Sequence, residues 1–131
     1  EKESVRIGHG AGEMKELSLE AMDRGIVCLT RMQQVAASLH ADIVAVATSA
    51  VREAKNKGEF IRRARRESSI DIQVISGVEE ARLIHLGALH GIGRPESTMF
   101  LCDIGGGSTE VVSGIKQKAL MKAHVLSSDG I

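Results

Sequence analysis

The stretch DIGGGSTE, residues 103–110, decides how the whole chain is interpreted. It follows the apolar run TMFL and leads into VVSGI, a pattern that predicts a strand, a glycine turn and a second strand. Three adjacent glycines cost a folded chain backbone entropy and bury no side chain. Two interpretations are open: a flexible hairpin turn whose Asp and Ser are turn residues, or a main-chain cradle for an anion.

In the second interpretation, residues without Cβ atoms turn several N–H groups towards an anion, and hydroxyls add further donors. The candidate phosphate-binding residues of this kind are Gly105, Gly106, Gly107, Ser108 and Thr109. Asp103, at the carboxyl end of a strand, is placed for a hydrated Mg²⁺ that neutralises phosphate. No lysine follows the glycines, which excludes a Walker A loop. Glu110 stands where a dinucleotide fingerprint needs its third glycine, which excludes that motif as well.

The composition indicates one small globular chain with an aliphatic core. It has 131 residues, 43% of them hydrophobic, with two Phe and no Trp or Tyr. Stacking of bases on aromatic rings is therefore not expected, which argues against a nucleic-acid ligand. The 17 basic residues balance the 17 acidic residues, so any anion binding has to come from local arrangement.

The cysteine, histidine and hydropathy patterns narrow the class of protein further. Cys28 and Cys102 lie in apolar surroundings without CxxC spacing, and we expect them to be small core residues. The five histidines show no zinc-ligand spacing, and His85 is expected to be an ordinary helix-face residue. No signal peptide is recognised, and no apolar run reaches the roughly 20 residues that span a membrane. We expect a cytoplasmic protein.

The order of elements predicts an α/β fold. A short strand is expected around Val5 and Ile7, followed by a helix capped by Ser18 and stapled by Leu17 and Met22. DIVAVATSA predicts a parallel strand covered on both faces, and IDIQVIS a second strand. Between these two runs lies a charged helical stretch interrupted near residues 56–58, and GVEEARLIHLGALHGI follows as another helix. After the connection GIGRPES come three strands, so parallel pairing precedes an antiparallel meander.

The strand–DIGGGST–strand unit resembles the phosphate-binding hairpin of the actin, Hsp70 and sugar-kinase superfamily. Upstream, ATSAVREAKN (residues 47–56) and VISGVEEARLIHLGA (residues 74–88) look like motifs of the exopolyphosphatase and guanosine pentaphosphate phosphohydrolase family. The resemblance implies a ribonuclease H-like (actin-like ATPase) architecture, with mixed sheets and flanking helices from parts of two lobes. Residues 1–95 would be the remainder of the first lobe. Residues 96–131 would begin the second lobe with the glycine-turn hairpin.

Family members open with another strand-turn-strand element, near Val-Asp-Xaa-Gly-Ser-Asn, that forms the other half of the phosphate clamp. Nothing in this sequence matches it, and the family continues where LSSDGI ends. We therefore expect an internal fragment that lacks the first phosphate hairpin and is inactive alone.

The resemblance also implies roles for individual residues. Glu80 matches the family's proposed catalytic base, whereas helix-dipole preference alone would account for Glu79 and Glu80 equally well. Asp103 and Glu110 match the acids that hold Mg²⁺ and order water; the alternatives are a turn-capping Asp and an exposed strand Glu. Arg52 matches the arginine of Thr-Xaa-Ala-Xaa-Arg, a phosphate clamp; the alternative is a surface residue paired with a neighbouring acid.

The implied activity removes terminal phosphate from inorganic polyphosphate, or converts guanosine pentaphosphate to tetraphosphate in the stringent response, with Mg²⁺ as cofactor. A homodimer is implied for the full-length protein, and no nucleic-acid or membrane partner is expected. Two other hypotheses stay open. One is an ATP-dependent kinase of the same superfamily, and the other is a non-catalytic phosphate- or nucleotide-binding protein. RRARR, residues 62–66, is interpreted as a solvated helix face.

Overall fold

The computed structural model describes residues 3–8, 15–92, 99–104, 108–115 and 118–127. The chain divides into two compact units, Glu1–Val74 and Ile75–Ile131. The elements of the first unit are α1 (Leu19–Ser38), β1 (Ala45–Ala47), α2 (Ser49–Glu53), α3 (Lys57–Ser68) and β2 (Ile72–Val74). The elements of the second unit are α4 (Gly77–Ile92), β3 (Met99–Ile104), β4 (Ser108–Ile115) and β5 (Lys118–Ser127). The predicted lobe boundary between residues 95 and 96 lies outside the described residues and stays a prediction.

The start of α1 follows its local sequence signals. The Ala21 amide donates to the Ser18 hydroxyl over 3.2 Å, and Ser18 itself has extended backbone angles. Leu17 and Met22 are both buried, as the staple pattern predicts. The predicted strand around Val5 and Ile7 is wrong, because residues 3–8 form irregular backbone and a turn.

Strands β1 and β2 pair in parallel, with Ala45 opposite Ile72 and Ala47 opposite Val74. This confirms the predicted parallel pairing. Ala47, Ile72 and Val74 pack against the core of the first unit. Val46 is 48% exposed, so the prediction of a strand covered on both faces is wrong. The sheet has two short strands in the described part of the chain, and only one of its faces meets the core.

The core of the first unit joins its three helices. Its buried side chains are Leu17, Met22, Ile26, Val51, Ala54, Phe60 and Ala64. Gly25 is buried where α1 meets α3, and a Cβ built there would lie 2.9 Å from the Phe60 ring and 3.0 Å from Ile7. The missing side chain is thus what lets the Phe60 ring approach the α1 backbone this closely.

Gly25→Ala is expected to destabilise the chain even though alanine is the better helix former. Overpacking of this kind costs about 1–3 kcal/mol, which outweighs a propensity gain of up to about 1 kcal/mol. The measurement is urea unfolding followed by circular dichroism. Gly87→Ala in α4 is the control, because Gly87 is exposed and none of the described residues lies within 4 Å of the place that its Cβ would take. This control should gain stability; a gain for Gly25→Ala would contradict the close packing.

A charged network links α1 to α3. Arg63 donates to Asp23 over 2.7 Å and to Glu67 over 3.1 Å, and Arg66 reaches Glu67 over 2.6 Å. Hydrogen bonds from Arg63, and then from Arg66, hold the pKa of the Glu67 carboxyl below its ordinary range. Arg65 pairs with Asp71 over 3.4 Å. Arg62, Arg65 and Arg66 are exposed, as expected for a solvated helix face, whereas Arg63 is half-buried and Ala64 is buried.

The Glu67 network predicts a pH dependence with a definite sign. A carboxyl whose folded-state pKa is lowered stabilises the fold at neutral pH, and this contribution is lost as the pH falls through the folded-state value. The unfolding free energy of the wild type should therefore exceed that of Glu67→Gln at neutral pH, and the two should converge in acid. Urea titrations from neutral pH downward measure this. A difference that persists unchanged below the ordinary glutamate range would contradict it, and added salt should shrink it.

The second unit is a helix on an antiparallel sheet of order β3-β4-β5, which confirms the predicted meander. Helix α4 packs against all three strands. Its buried face carries Ala81, His85 and Leu89, and Val112 of β4 is fully buried. Phe100 of β3 is 74% exposed. The sheet therefore has one covered and one open face in the described part of the unit.

Cys28 is half-buried and Cys102 is exposed, and neither forms a disulfide. The expectation that both are core residues is wrong, because the β3 backbone presents Cys102 on the open face of the sheet. Among the described residues, no helix combines the length and apolar character that crossing a membrane requires.

Candidate functional site

The hairpin of β3 and β4 brings its two acidic residues into register. Asp103 is paired directly with Glu110, and Ile104 with Thr109. The predicted strand–turn–strand geometry is confirmed on both sides of the turn. The turn itself, with Gly105, Gly106 and Gly107, lies outside the described residues, so the cradle stays a prediction.

Asp103 belongs to the covered face of the sheet. Residues two apart on a strand point to the same face, and so do directly paired residues on adjacent strands. Asp103 thus shares a face with Leu101, whose partner Val112 is fully buried. Ile104, on the other face, is 80% exposed. Since α4 packs on this sheet, half-buried Asp103 lies on the same side of the sheet as the helix that carries Glu80.

The pairing of Asp103 with Glu110 has an electrostatic consequence. Acidic residues directly opposite each other on neighbouring strands repel, which destabilises a hairpin unless a cation offsets the charge. Carboxylates of this kind are the ligands that Mg²⁺ uses, usually one or two together with waters. Within the side chains that the structure describes, no group of three or more His, Cys, Asp or Glu residues could hold a metal ion. The Glu110 side chain lies outside that set.

The first turn of α4 contains two adjacent acidic residues, Glu79 and Glu80. The Ser76 hydroxyl accepts from the Glu79 amide over 3.2 Å, and the Ser76 carbonyl accepts from the Glu80 amide over 2.9 Å. Arg82 forms a two-bond ion pair with Glu79, at 2.7 and 2.6 Å. These hydrogen bonds hold the pKa of the Glu79 carboxyl below its ordinary range. Glu79 is thus engaged in a helix-surface ion pair, and Glu80 beside it is half-buried.

Arg52 lies at the end of α2 in the first unit, whereas the hairpin and α4 belong to the second unit. Its Nε donates to the Glu53 carboxylate over 3.2 Å, and 18% of its side chain is exposed. The pair with a neighbouring acid, one of the two alternatives for Arg52, is therefore present. A guanidinium carries five N–H donors, so its Nε bond to a carboxylate is compatible with a contact to phosphate.

One feature of the structure has no counterpart in the sequence interpretation, and a second corrects it. Asn56, the single asparagine of the sequence, makes a long-range contact that no local pattern signals. His85 is 1% exposed, which makes it a core residue of the second unit and more than an ordinary helix-face residue. Neither of its ring nitrogens has a hydrogen-bond partner within the described part of the chain. Its four-residue spacing from Ala81 and Leu89 is the signal that places it on the buried face.

A cavity of about 310 Å³ opens in the first unit, but its lining is uncharged. Val5, Ile7, Cys28, Leu29 and Phe60 are among the residues that form it. An apolar surface of this kind offers nothing to neutralise a phosphate. None of the candidate site residues that the structure describes is among those that line this cavity.

A helix-covered antiparallel sheet, together with helices around a short parallel sheet, defines an α/β protein. Residues 1–127 match the Ppx/GppA phosphatase family, and the chain belongs to that family. Its mixed α/β architecture is the actin-like ATPase fold of these proteins, as the sequence predicts.

Solved structures of the family are similar over nearly the whole chain. The exopolyphosphatase from Cytophaga hutchinsonii is 32% identical with a TM-score of 0.89, and the match covers 98% of this chain and 41% of that one. The Ppx/GppA family member from Aquifex aeolicus is 30% identical with a TM-score of 0.79, and the match covers 94% of this chain and 40% of that one. The chain thus spans about 40% of the length of these relatives.

Proposed function

We propose that this chain is part of a phosphoanhydride hydrolase that releases terminal phosphate from inorganic polyphosphate or from guanosine pentaphosphate. The observation that carries the proposal is the direct pairing of Asp103 with Glu110 on either side of the glycine turn. Two paired acids suit a cation, and the glycine-rich sequence between them suits an anion. A phosphate chain with bound Mg²⁺ supplies the cation and the anion at the same place.

Asp103 and Glu110 are proposed to hold the Mg²⁺. The donor chemistry fits, because two carboxylate residues in register offer the oxygen ligands that this ion prefers and leave room for its waters. When bound, the ion neutralises charge on the phosphoryl oxygens. The main-chain N–H groups of residues 105–107 and the hydroxyls of Ser108 and Thr109 would bind the same oxygens. The chain's own part in this step is to orient the terminal phosphate.

Glu80 is proposed as the general base that takes the proton from the attacking water. A general base works best when its pKa lies near the operating pH. The Arg82 ion pair lowers the pKa of Glu79 and so makes Glu79 a poorer base than an ordinary glutamate. Half-buried Glu80 is on the helix that covers the Asp103 face of the sheet. The location of Glu80 on this helix supports the proposed role.

Arg52 is proposed as a further phosphate ligand. The substrate is a linear phosphate chain or a guanosine nucleotide. A homodimer, a cytoplasmic location and a role in the stringent response belong to the same proposal. Support for polyphosphate comes from the similarity to the Cytophaga hutchinsonii exopolyphosphatase.

A phosphate-release assay tests the proposal. The complete gene product and, separately, the 131-residue chain are incubated with Mg²⁺ and either linear polyphosphate or guanosine pentaphosphate. We expect phosphate release by the complete gene product, and none by the shorter chain alone. Transfer of phosphate from ATP to a sugar, or substrate binding without turnover, would contradict the proposal.

A further inference from the structure

Asn56 ties the connection between α2 and α3 to the segment that precedes α1. Its side-chain amide donates to the Leu17 carbonyl over 2.9 Å, and its side-chain oxygen accepts from the Leu17 amide over 2.9 Å. A third bond, from the Lys55 amide to the Lys15 carbonyl at 2.9 Å, runs beside them. One asparagine therefore satisfies both main-chain groups of a residue 39 positions away, which fixes the spacing of the two segments.

The two hydrogen bonds to Leu17, which form the Asn56 tether, use a side chain that would ordinarily cap the start of its own helix. Asn56 is the N-cap residue of α3, where asparagine ordinarily accepts a hydrogen bond from the first turn. No such bond from the Asn56 side chain is present in the described residues. Both polar groups of the amide go instead to Leu17, which is 3% exposed. The chain thus gives up a local cap for a long-range contact.

The tether acts on the short element that carries Arg52. Helix α2 has five residues and no side-chain cap bond, so its own hydrogen bonds do little to fix its position. Val51 and Ala54 anchor one side of it in the core that also contains Leu17. Lys57, the residue after Asn56, donates from its amide to the Ala54 carbonyl over 3.2 Å and from its side-chain Nζ to the Arg52 carbonyl over 2.8 Å. Movement of the Asn56 turn would therefore move the backbone of Arg52.

We propose that Asn56 is a positioning residue that sets Arg52 for phosphate binding by holding this turn against Leu17. The inference rests on the proposed role of Arg52 as a phosphate ligand. Asn56 touches no substrate in this scheme. Its effect passes through the backbone of the α2–α3 connection, so it should appear in substrate binding and should vanish when the Arg52 side chain is removed.

The test is a double-mutant cycle in the complete gene product with Asn56→Asp, Arg52→Ala and both together. Aspartate is as good an N-cap as asparagine, so α3 keeps its start. A carboxylate has no N–H for the Leu17 carbonyl and would repel it. Gln34→Glu is the matched control, because it makes the same amide-to-acid change on the exposed face of α1.

For polyphosphate hydrolysis, Asn56→Asp should raise KM about five- to tenfold and leave kcat within about twofold. In the Arg52→Ala background the same change should add less than about twofold. Affinity for inorganic tripolyphosphate, measured by calorimetry on the same four proteins, should follow KM. Gln34→Glu should leave all of these values unchanged.

An undiminished effect of Asn56→Asp in the Arg52→Ala background would overturn the inference, and so would an unchanged KM and tripolyphosphate affinity. If Asn56→Asp does not fold, Asn56→Ser takes its place, since serine also caps a helix. A wild type that binds tripolyphosphate but releases no phosphate would refute the proposed hydrolase, and the binding cycle would still decide the role of Asn56. A wild type that neither binds tripolyphosphate nor releases phosphate would overturn both the proposed hydrolase and the role of Asn56.

Discussion

Replacing Glu80 with Gln is expected to reduce phosphate release about a hundred- to ten-thousandfold, the range that a general base contributes. Glutamine keeps the size of the side chain and removes its ability to take a proton from water. The loss should fall on kcat, because the proposed phosphate ligands are left in place. The measurement is steady-state phosphate release from linear polyphosphate by the complete gene product.

Glu79→Gln is the matched control for this change. The two glutamates are adjacent in the first turn of α4, and Glu79 is held in the ion pair with Arg82. Its replacement should leave kcat within a few-fold of the wild type, although the first turn of the helix loses its ion pair. If Glu80→Gln were as active as Glu79→Gln, Glu80 would have no part in proton transfer.

The second large effect is expected at the metal. Asp103→Asn should raise the Mg²⁺ concentration needed for half-maximal activity at least about ten- to hundredfold. Loss of a residue that only supports a metal ligand already lowers metal affinity by about that factor. The physical reason is the loss of one of two acidic residues that are directly paired in the hairpin. The same change removes the like-charge repulsion of the pair, so without Mg²⁺ the variant should be no less stable than the wild type.

Asp71→Asn provides the control for Asp103. Asp71 carries the same side chain, is 75% exposed, and pairs with Arg65 at 3.4 Å in the first unit. Its replacement should not alter the Mg²⁺ titration. An Asp103→Asn variant with wild-type Mg²⁺ dependence would remove this residue from the metal site.

Local signals in the sequence were sufficient for most of the helices and for the sheet directions. Ser18 caps α1 as its position predicts, since a cap depends on residues a few positions away. The strand expected around Val5 and Ile7 fails because alternation over so few residues cannot by itself secure a pairing partner. The exposure of Val46 and Cys102 depends on which face of a sheet a neighbouring element covers. That property is tertiary and does not show in a short apolar run.

The candidate site also has features that the local sequence predicts and features that it does not. The spacing around the glycine turn predicts a hairpin, and the direct pairing of Asp103 with Glu110 follows once the four residues 105–108 lie between the paired Ile104 and Thr109. The family resemblance, and not residue spacing, selected Glu80 over Glu79; the Arg82 ion pair is a physical argument against Glu79 as the base. The contact between Asn56 and Leu17 spans 39 positions, so no local pattern could predict it.

Phosphate binding at the glycine turn is measured most directly by amide NMR of the ¹⁵N-labelled complete gene product, titrated with tripolyphosphate in the presence of Mg²⁺. We predict that the amide signals of Gly105, Gly106 and Gly107 shift with saturation, and that Asp103→Asn weakens the response. Shifts confined to the arginine-rich face of α3, with the signals of the glycine turn unchanged, would contradict phosphate binding at this hairpin.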